Sequence, residues 1–294
     1  MNDPAWLNGK PSSILLATDL SARCDRALDR AAALAGEWQA RLVAVHAIEA
    51  APDMLDGEDA AVAHDLVEAQ IRRDLQHQLP DIGVVVQVGR PEKIVLQTAR
   101  AEQSGLIVTG IARDELLGRF GLGNSVDSLL RGARTPVLIV KQRPAGPYGD
   151  ILVASDFSES SAHALRLALA WFPDRRLTLF HAFEPPPRGL ADTTPADIAA
   201  QRAALQAEAA AFLDRSGLSD AQQRGLNLLI EPGQPAELIA SHVLDRGVEL
   251  VILGSHGRSA VLDILLGSTA KDILSDLACD ALLVREPRAA VAAD

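Results

Sequence analysis

Two tandem α/β domains, each an open five-stranded parallel sheet flanked by helices, are what this 294-residue sequence predicts. Three observations carry the prediction: the second half repeats the first, short apolar runs alternate with segments of helical period, and glycine or proline punctuates the joins. Ser13-Ile14-Leu15-Leu16-Ala17-Thr18-Asp19 returns as Asp150-Ile151-Leu152-Val153-Ala154-Ser155-Asp156, and Leu42-Val43-Ala44-Val45-His46-Ala47 as Leu177-Thr178-Leu179-Phe180-His181-Ala182. Gly89 and Gly233, Gly110 and Gly254, and Val137 and Ala281 then all stand 144 residues apart, so the later part of each copy keeps a constant register.

In the first copy the apolar runs predict strands at about 13–18, 41–48, 83–88, 105–110 and 136–140. Those of the second predict strands at about 150–155, 176–183, 226–231, 249–254 and 281–284. Near-continuous Val, Ile and Leu in such short runs is the composition of strands buried on both faces, as in parallel sheets. The segments between them have helical spacing. Ala27, Ala31, Leu34 and Trp38 fall on one stripe, as do Leu165, Leu169 and Phe172 after the second copy's first strand. Ser21 and Ser158 stand where an N-cap would be, two residues beyond Asp19 and Asp156. Pro91 and Pro235 suit a first helical turn. A further helix is expected near 195–214, in a longer excursion that opens with Pro185-Pro186-Pro187 and reads equally as surface decoration or as a lid. The copies meet at Arg143-Pro144-Ala145-Gly146-Pro147-Tyr148-Gly149, which sets the domains at 1–146 and 147–294. A joint this short and stiff is expected to hold them as an intramolecular pseudo-dimer.

Composition excludes several classes. A formal net charge of -11 argues against nucleic acid gripped by clustered Lys and Arg, and 3% aromatic residues leave little for base stacking. No run approaches the roughly 20 apolar residues of a membrane span, and the first residues lack the regions of a signal peptide, so a cytoplasmic location is expected. Cys24 and Cys279 have no metal-like spacing and read as small buried apolar residues.

The chemistry concentrates at Leu253-Gly254-Ser255-His256-Gly257, followed by Gly267-Ser268-Thr269 at a helix start. A strand ending at glycine and feeding a second glycine at a helix N-terminus brings bare backbone, unpaired N–H groups and the helix dipole to one sheet edge, a cradle for phosphate. In an open parallel sheet that edge is the ligand crevice, and Ala154-Ser155-Asp156 and His181-Ala182 would reach the same rim. Gly254 and the other glycines also fit tight turn geometry alone, and Asp156 reads equally as a helix cap or a base contact. His46 and His181, at equivalent strand ends, read as structural. No general base is evident, nor a Walker lysine, nor paired acidic metal ligands.

The pattern Gly-x2-Gly-x9-Gly-Ser/Thr with Ala-Ser-Asp near the domain start resembles the ATP-binding type of the universal stress proteins, and the resemblance covers nearly all of both copies. It implies a Rossmann-like, adenine nucleotide alpha hydrolase-like fold and a stress-response or regulatory protein that binds ATP or a related adenine nucleotide, with Mg²⁺ as its companion ion. Carried over by position, it places Ala154, Ser155 and Asp156 near adenine and ribose and the Ala182 backbone against the base. It puts Leu253 and Gly254 at the strand exit, Gly257 beside ribose and phosphate, and Gly267, Ser268 and Thr269 on phosphate. A slow ATP hydrolase and a nucleotide-free interaction scaffold are the alternatives, and protein partners, further homodimer formation and the stress itself stay open. The first copy departs from the pattern. Arg113 stands in place of the second glycine, and Gly123-Asn124-Ser125 in place of Gly-Ser-Thr. The expectation is that Arg113 fills the first crevice and that nucleotide binds chiefly in the second.

Overall fold

In the computed structural model, residues 9–21, 24–49, 57–75, 82–111, 124–184, 194–255 and 266–285 are described. The chain forms two compact units that divide between Pro147 and Tyr148. The first contains β1 (Ser13–Ala17), α1 (Asp25–Trp38), β2 (Arg41–Ile48), α2 (Gly57–Leu75), β3 (Gly83–Val88), α3 (Pro91–Ala101), β4 (Leu106–Gly110), α4 (Asn124–Gly132) and β5 (Val137–Val140). The second contains β6 (Asp150–Ala154), α5 (Glu159–Trp171), β7 (Arg176–Phe183), α6 (Pro195–Arg215), α7 (Asp220–Gly225), β8 (Leu226–Pro232), α8 (Pro235–Arg246), β9 (Leu250–Gly254), α9 (Ser268–Asp276) and β10 (Asp280–Val284).

Within the first unit the strands lie in the order β3-β2-β1-β4-β5, and within the second β8-β7-β6-β9-β10. Every pairing inside a unit is parallel. All the expected strands are therefore present, and each sheet reverses its direction of winding beside its first strand, at β1/β4 and β6/β9. Their central strands are closed off from water: Ile14, Leu15 and Leu16 of β1, Leu152 and Val153 of β6 and Val251 and Ile252 of β9 are 0% exposed. Side chains sealed on both faces explain why these strands read as unbroken apolar runs rather than alternating ones.

Helix placement follows the apolar stripes with two corrections. Ala27, Ala31, Leu34 and Trp38 are all buried, as the spacing of α1 requires. In α5, Leu169 is only half-buried, and the helix is anchored by Leu165, Leu167, Ala168 and Trp171. Ser158 is the N-cap of α5 and accepts the Ser161 N–H, whereas α1 starts later than its repeat partner and is preceded by Cys24, which makes no side-chain cap bond. Ser21 instead donates its N–H to Asp19 Oδ1 (2.9 Å). Gly89 (φ +145°) and Gly233 (φ +143°) turn the chain from β3 into α3 and from β8 into α8, a conformation that side chains rarely adopt. Pro91 and Pro235 then open those helices. Cys279 is buried as expected, but Cys24 is half-exposed.

Candidate functional site

In the second unit β6 lies between β7 and β9, with Ala154 level with Phe180 on one side and Leu253 on the other. The carboxyl ends of these strands deliver Ala154-Ser155-Asp156, His181-Ala182 and Leu253-Gly254 to one edge. Backbone bonds close that edge: Ser155 N–H donates to Phe180 O (2.9 Å), Ser255 N–H to Val284 O (2.9 Å) and Gly267 N–H to Ser255 O (3.3 Å). The last bond ties the start of α9, with Ser268 and Thr269 both exposed, to the exit of β9. Gly257, like His256 and Arg258, lies outside the described residues.

The predicted site residues differ in what their side chains do. Leu253 is 2% exposed and belongs to the core, so only its backbone faces the edge. Ser155 is buried, accepts the Phe157 N–H (3.0 Å) and bonds Ser161 Oγ (3.0 Å). Asp156 Oδ1 accepts from the Ser158 N–H (3.0 Å) and from Ser161 Oγ (3.2 Å), leading the chain into α5. Its Oδ1 thus serves the helix start, one of the two roles its position allows.

His181 has a structural task as well. A carbonyl can only accept, so its contact with Ser155 O (2.8 Å) places the proton on Nδ1. His46 holds Thr18 O in the same way at 3.0 Å. Phe157 was not foreseen. Its ring stacks on His181 at 4.3 Å, its carbonyl accepts from Arg215 (2.7 Å), and its φ of +61° is left-handed. Leu20, at the matching place in the first unit, has φ +61° as well. The repeat could have signalled the shared position; a left-handed turn at a non-glycine residue has no sequence signature.

The two described glycines separate cleanly. A Cβ on Gly254 would stand 2.6 Å from Ser160 Oγ and 3.0 Å from its backbone, so the close approach of α5 to β9 demands a glycine there. A Cβ on Gly267 would meet, among the described residues, only Ser255 O at 3.9 Å, and its φ of -57° is open to any residue. Among the described residues neither packing nor backbone conformation explains Gly267. No acidic residue stands in the first turn of α9, and Lys271 follows one turn in. Among the described residues no group of three or more His, Cys, Asp or Glu could hold a metal ion.

The universal stress protein family matches residues 12–141 and again residues 147–285. The chain belongs to the universal stress protein family. It carries two family domains in tandem, and each match spans one five-stranded unit. A universal stress protein of Thermus aquaticus, from the QAH/OAS sulfhydrylase 3' region, is 36% identical over 135 residues, 44% of this chain and 98% of that relative. Among solved structures, a universal stress protein from Archaeoglobus fulgidus aligns over 93% of this chain and 96% of its own, with TM-score 0.62 and 18% identity. A functionally unknown protein of Pseudomonas aeruginosa PAO1 aligns over 96% and 94%, with TM-score 0.66 and 23% identity. At those identities the likeness is one of fold, and it extends over both units. No helix among the described residues is long and apolar enough to cross a membrane. The predicted departure of the first domain at Arg113 and Gly123 lies outside the described residues.

Proposed function

We propose that this tandem universal stress protein is a regulatory nucleotide-binding protein whose second domain holds ATP or a related adenine nucleotide. The observation that supports the reading is Gly267, a glycine required neither by its neighbours among the described residues nor by its φ, at the N-terminus of a helix free of first-turn acid. Exposed Ser268 and Thr269 offer hydroxyl and N–H donors there, and the helix end favours an anion. The base would lie against the Ala154 and Ala182 backbone, with Asp156 and Ser155 shaping the loop from beneath, and Gly257 would leave room for ribose and phosphate. Mg²⁺ suits such a site because it is held largely by substrate phosphates and water rather than by a protein cage.

The test begins with purified protein, denatured without added ligand, and identification of any nucleotide released. ATP at a hundred times its Kd should stabilise the fold by about 2.7 kcal/mol, read as a rise in Tm. Gly267→Tyr should abolish that rise while leaving the unliganded Tm near wild type. If no nucleotide is released and ATP leaves Tm unchanged, a ligand-free interaction scaffold is the better description. ATP turnover that is lost in Gly267→Tyr would instead favour the slow hydrolase.

A further inference from the structure

Helix α2 is apolar on two opposite faces. Ala63 and Val67 are half-buried and Ile71 is 1% exposed, on the side where the helix packs against β3. Val62, Leu66, Ala69 and Arg73, spaced by four, three and four, form a second stripe, and at about 100° per residue Val62 lies half a turn round from Ile71. Val62 is 59% exposed and Leu66 67%, and Ala69 and Arg73 are exposed as well. Half of the large apolar side chains left exposed among the described residues therefore stand on this one stripe. Helix α6, the crossover at the same place in the second unit, exposes only Ala, Asp, Gln and Arg among its described side chains. The repeated fold does not itself require an outer apolar stripe, and a helix with apolar residues on both faces is suited to being covered on both.

Charge and size along the stripe select what covers it. Asp65, its side chain 85% exposed and 3.4 Å from the neighbouring His64 Nδ1, flanks the N-terminal part, and Arg73 stands at the C-terminal end. Arg72 is engaged within its own unit, Nε donating to Glu68 Oε1 (2.8 Å) and Nη1 to Ile82 O (3.2 Å). Among the described residues Arg73 has no such partner. Turned end for end about an axis passing between Leu66 and Ala69, the stripe becomes its own complement. Leu66 then meets Ala69 of a second copy, and Val62 meets the stem of Arg73. Helical side chains lean toward the N-terminus, so that Arg73 extends on toward Asp65 of the second copy. Two copies running in the same direction would set Arg73 against Arg73 and Asp65 against Asp65.

We propose that α2 is a docking surface for α2 of a second copy of this chain, the two helices packed antiparallel along Val62, Leu66, Ala69 and Arg73. Such a contact is isologous and uses up its own surface, so assembly through it closes at two chains. One helix pair buries less than the roughly 1,600 Å² of a standard interface, which makes the association weak and reversible.

The test is sedimentation equilibrium of the full chain over a concentration range of about a hundredfold, in which the mass should rise from one chain toward two. Leu66→Lys should weaken association at least about tenfold with Tm and far-ultraviolet circular dichroism unchanged, since Leu66 is 67% exposed. Arg73→Asp and Asp65→Arg should each weaken it by about fivefold, and the two together should restore it. Val62→Cys chains mixed with Arg73→Cys chains should form disulfide-linked pairs above the wild-type background, and Val62→Cys chains alone should not. A wild-type chain that stays single throughout would overturn the proposal and leave the stripe to a different protein. Association unchanged by Leu66→Lys, a double charge reversal no better than either single one, or Val62→Cys chains that link to one another would each overturn it too.

Discussion

Two glycines of one motif have opposite reasons for being glycine. Gly254→Ala drives a methyl group into Ser160, including its backbone, and overpacking of this kind costs about 1–3 kcal/mol. A urea unfolding midpoint lowered accordingly is the expected result, with Gly267→Ala within about 0.5 kcal/mol of wild type. Equal effects of the two substitutions would remove the distinction. Cys24 is a second residue whose surroundings set its chemistry. Burial pushes its thiol up to about 11, the Asp19 backbone works against that and the Asp19 carboxylate with it, so the thiol stays protonated and weakly nucleophilic at neutral pH. Its modification by a disulfide reagent in the folded protein should be far slower at pH 8 than that of a free thiol and should accelerate toward pH 11. Asp19 has its own pKa lowered: burial works to raise it, and hydrogen bonds from Cys24 and Ser21 outweigh that.

At the scale of elements, helix starts are where the sequence was most legible. The serine that caps α5 and the prolines that open α3 and α8 all lie where residue chemistry requires. The α6 start adds a reciprocal capping box, in which Thr194 accepts the Asp197 N–H and Asp197 accepts the Thr194 N–H. Hydrogen bonds from the Thr194 backbone and side chain lower the Asp197 pKa below its ordinary 3.8. A carboxylate depressed in the folded state contributes stability that is present above the unfolded value and lost as pH falls through the folded one. An NMR titration should accordingly place the Asp197 midpoint below 3.8, with Thr194→Ala moving it upward. A midpoint at the ordinary value in the folded chain would show that the box is not formed in solution. The later start of α1, by contrast, was not legible. Asp19 and Ser21 match Asp156 and Ser158, and Cys24, whose thiol bonds Asp19, matches Ser161, whose hydroxyl bonds Asp156 Oδ1, so the repeat shows no reason for the difference.

Across a whole unit, stability depends on contacts between residues far apart in the chain. Tyr148, at the start of the second unit, donates its hydroxyl to Asp280 at the start of β10 over 2.6 Å, and both residues are 1% exposed. Tyr148→Phe removes a donor from a buried carboxylate and should cost about 1–3 kcal/mol in urea unfolding. No spacing rule links two such residues; only the folded sheet brings them together.

Repetition, apolar runs and glycine-proline punctuation are written along the chain, and they determined that it carries two α/β domains of five parallel strands and where their crevices must open. Their reach is local, because periodicity and capping depend on residues a few positions apart. Tertiary structure alone decided that Gly254 answers to Ser160 while Gly267 answers to nothing described in the protein. It also showed that Asp156 Oδ1 bonds the start of α5 and that Asp19, Glu49 and Glu92 from separate segments line one cavity of the first unit. Each of these depends on distances across the fold, where a few tenths of an ångström or the sign of one charge settles what a residue can do.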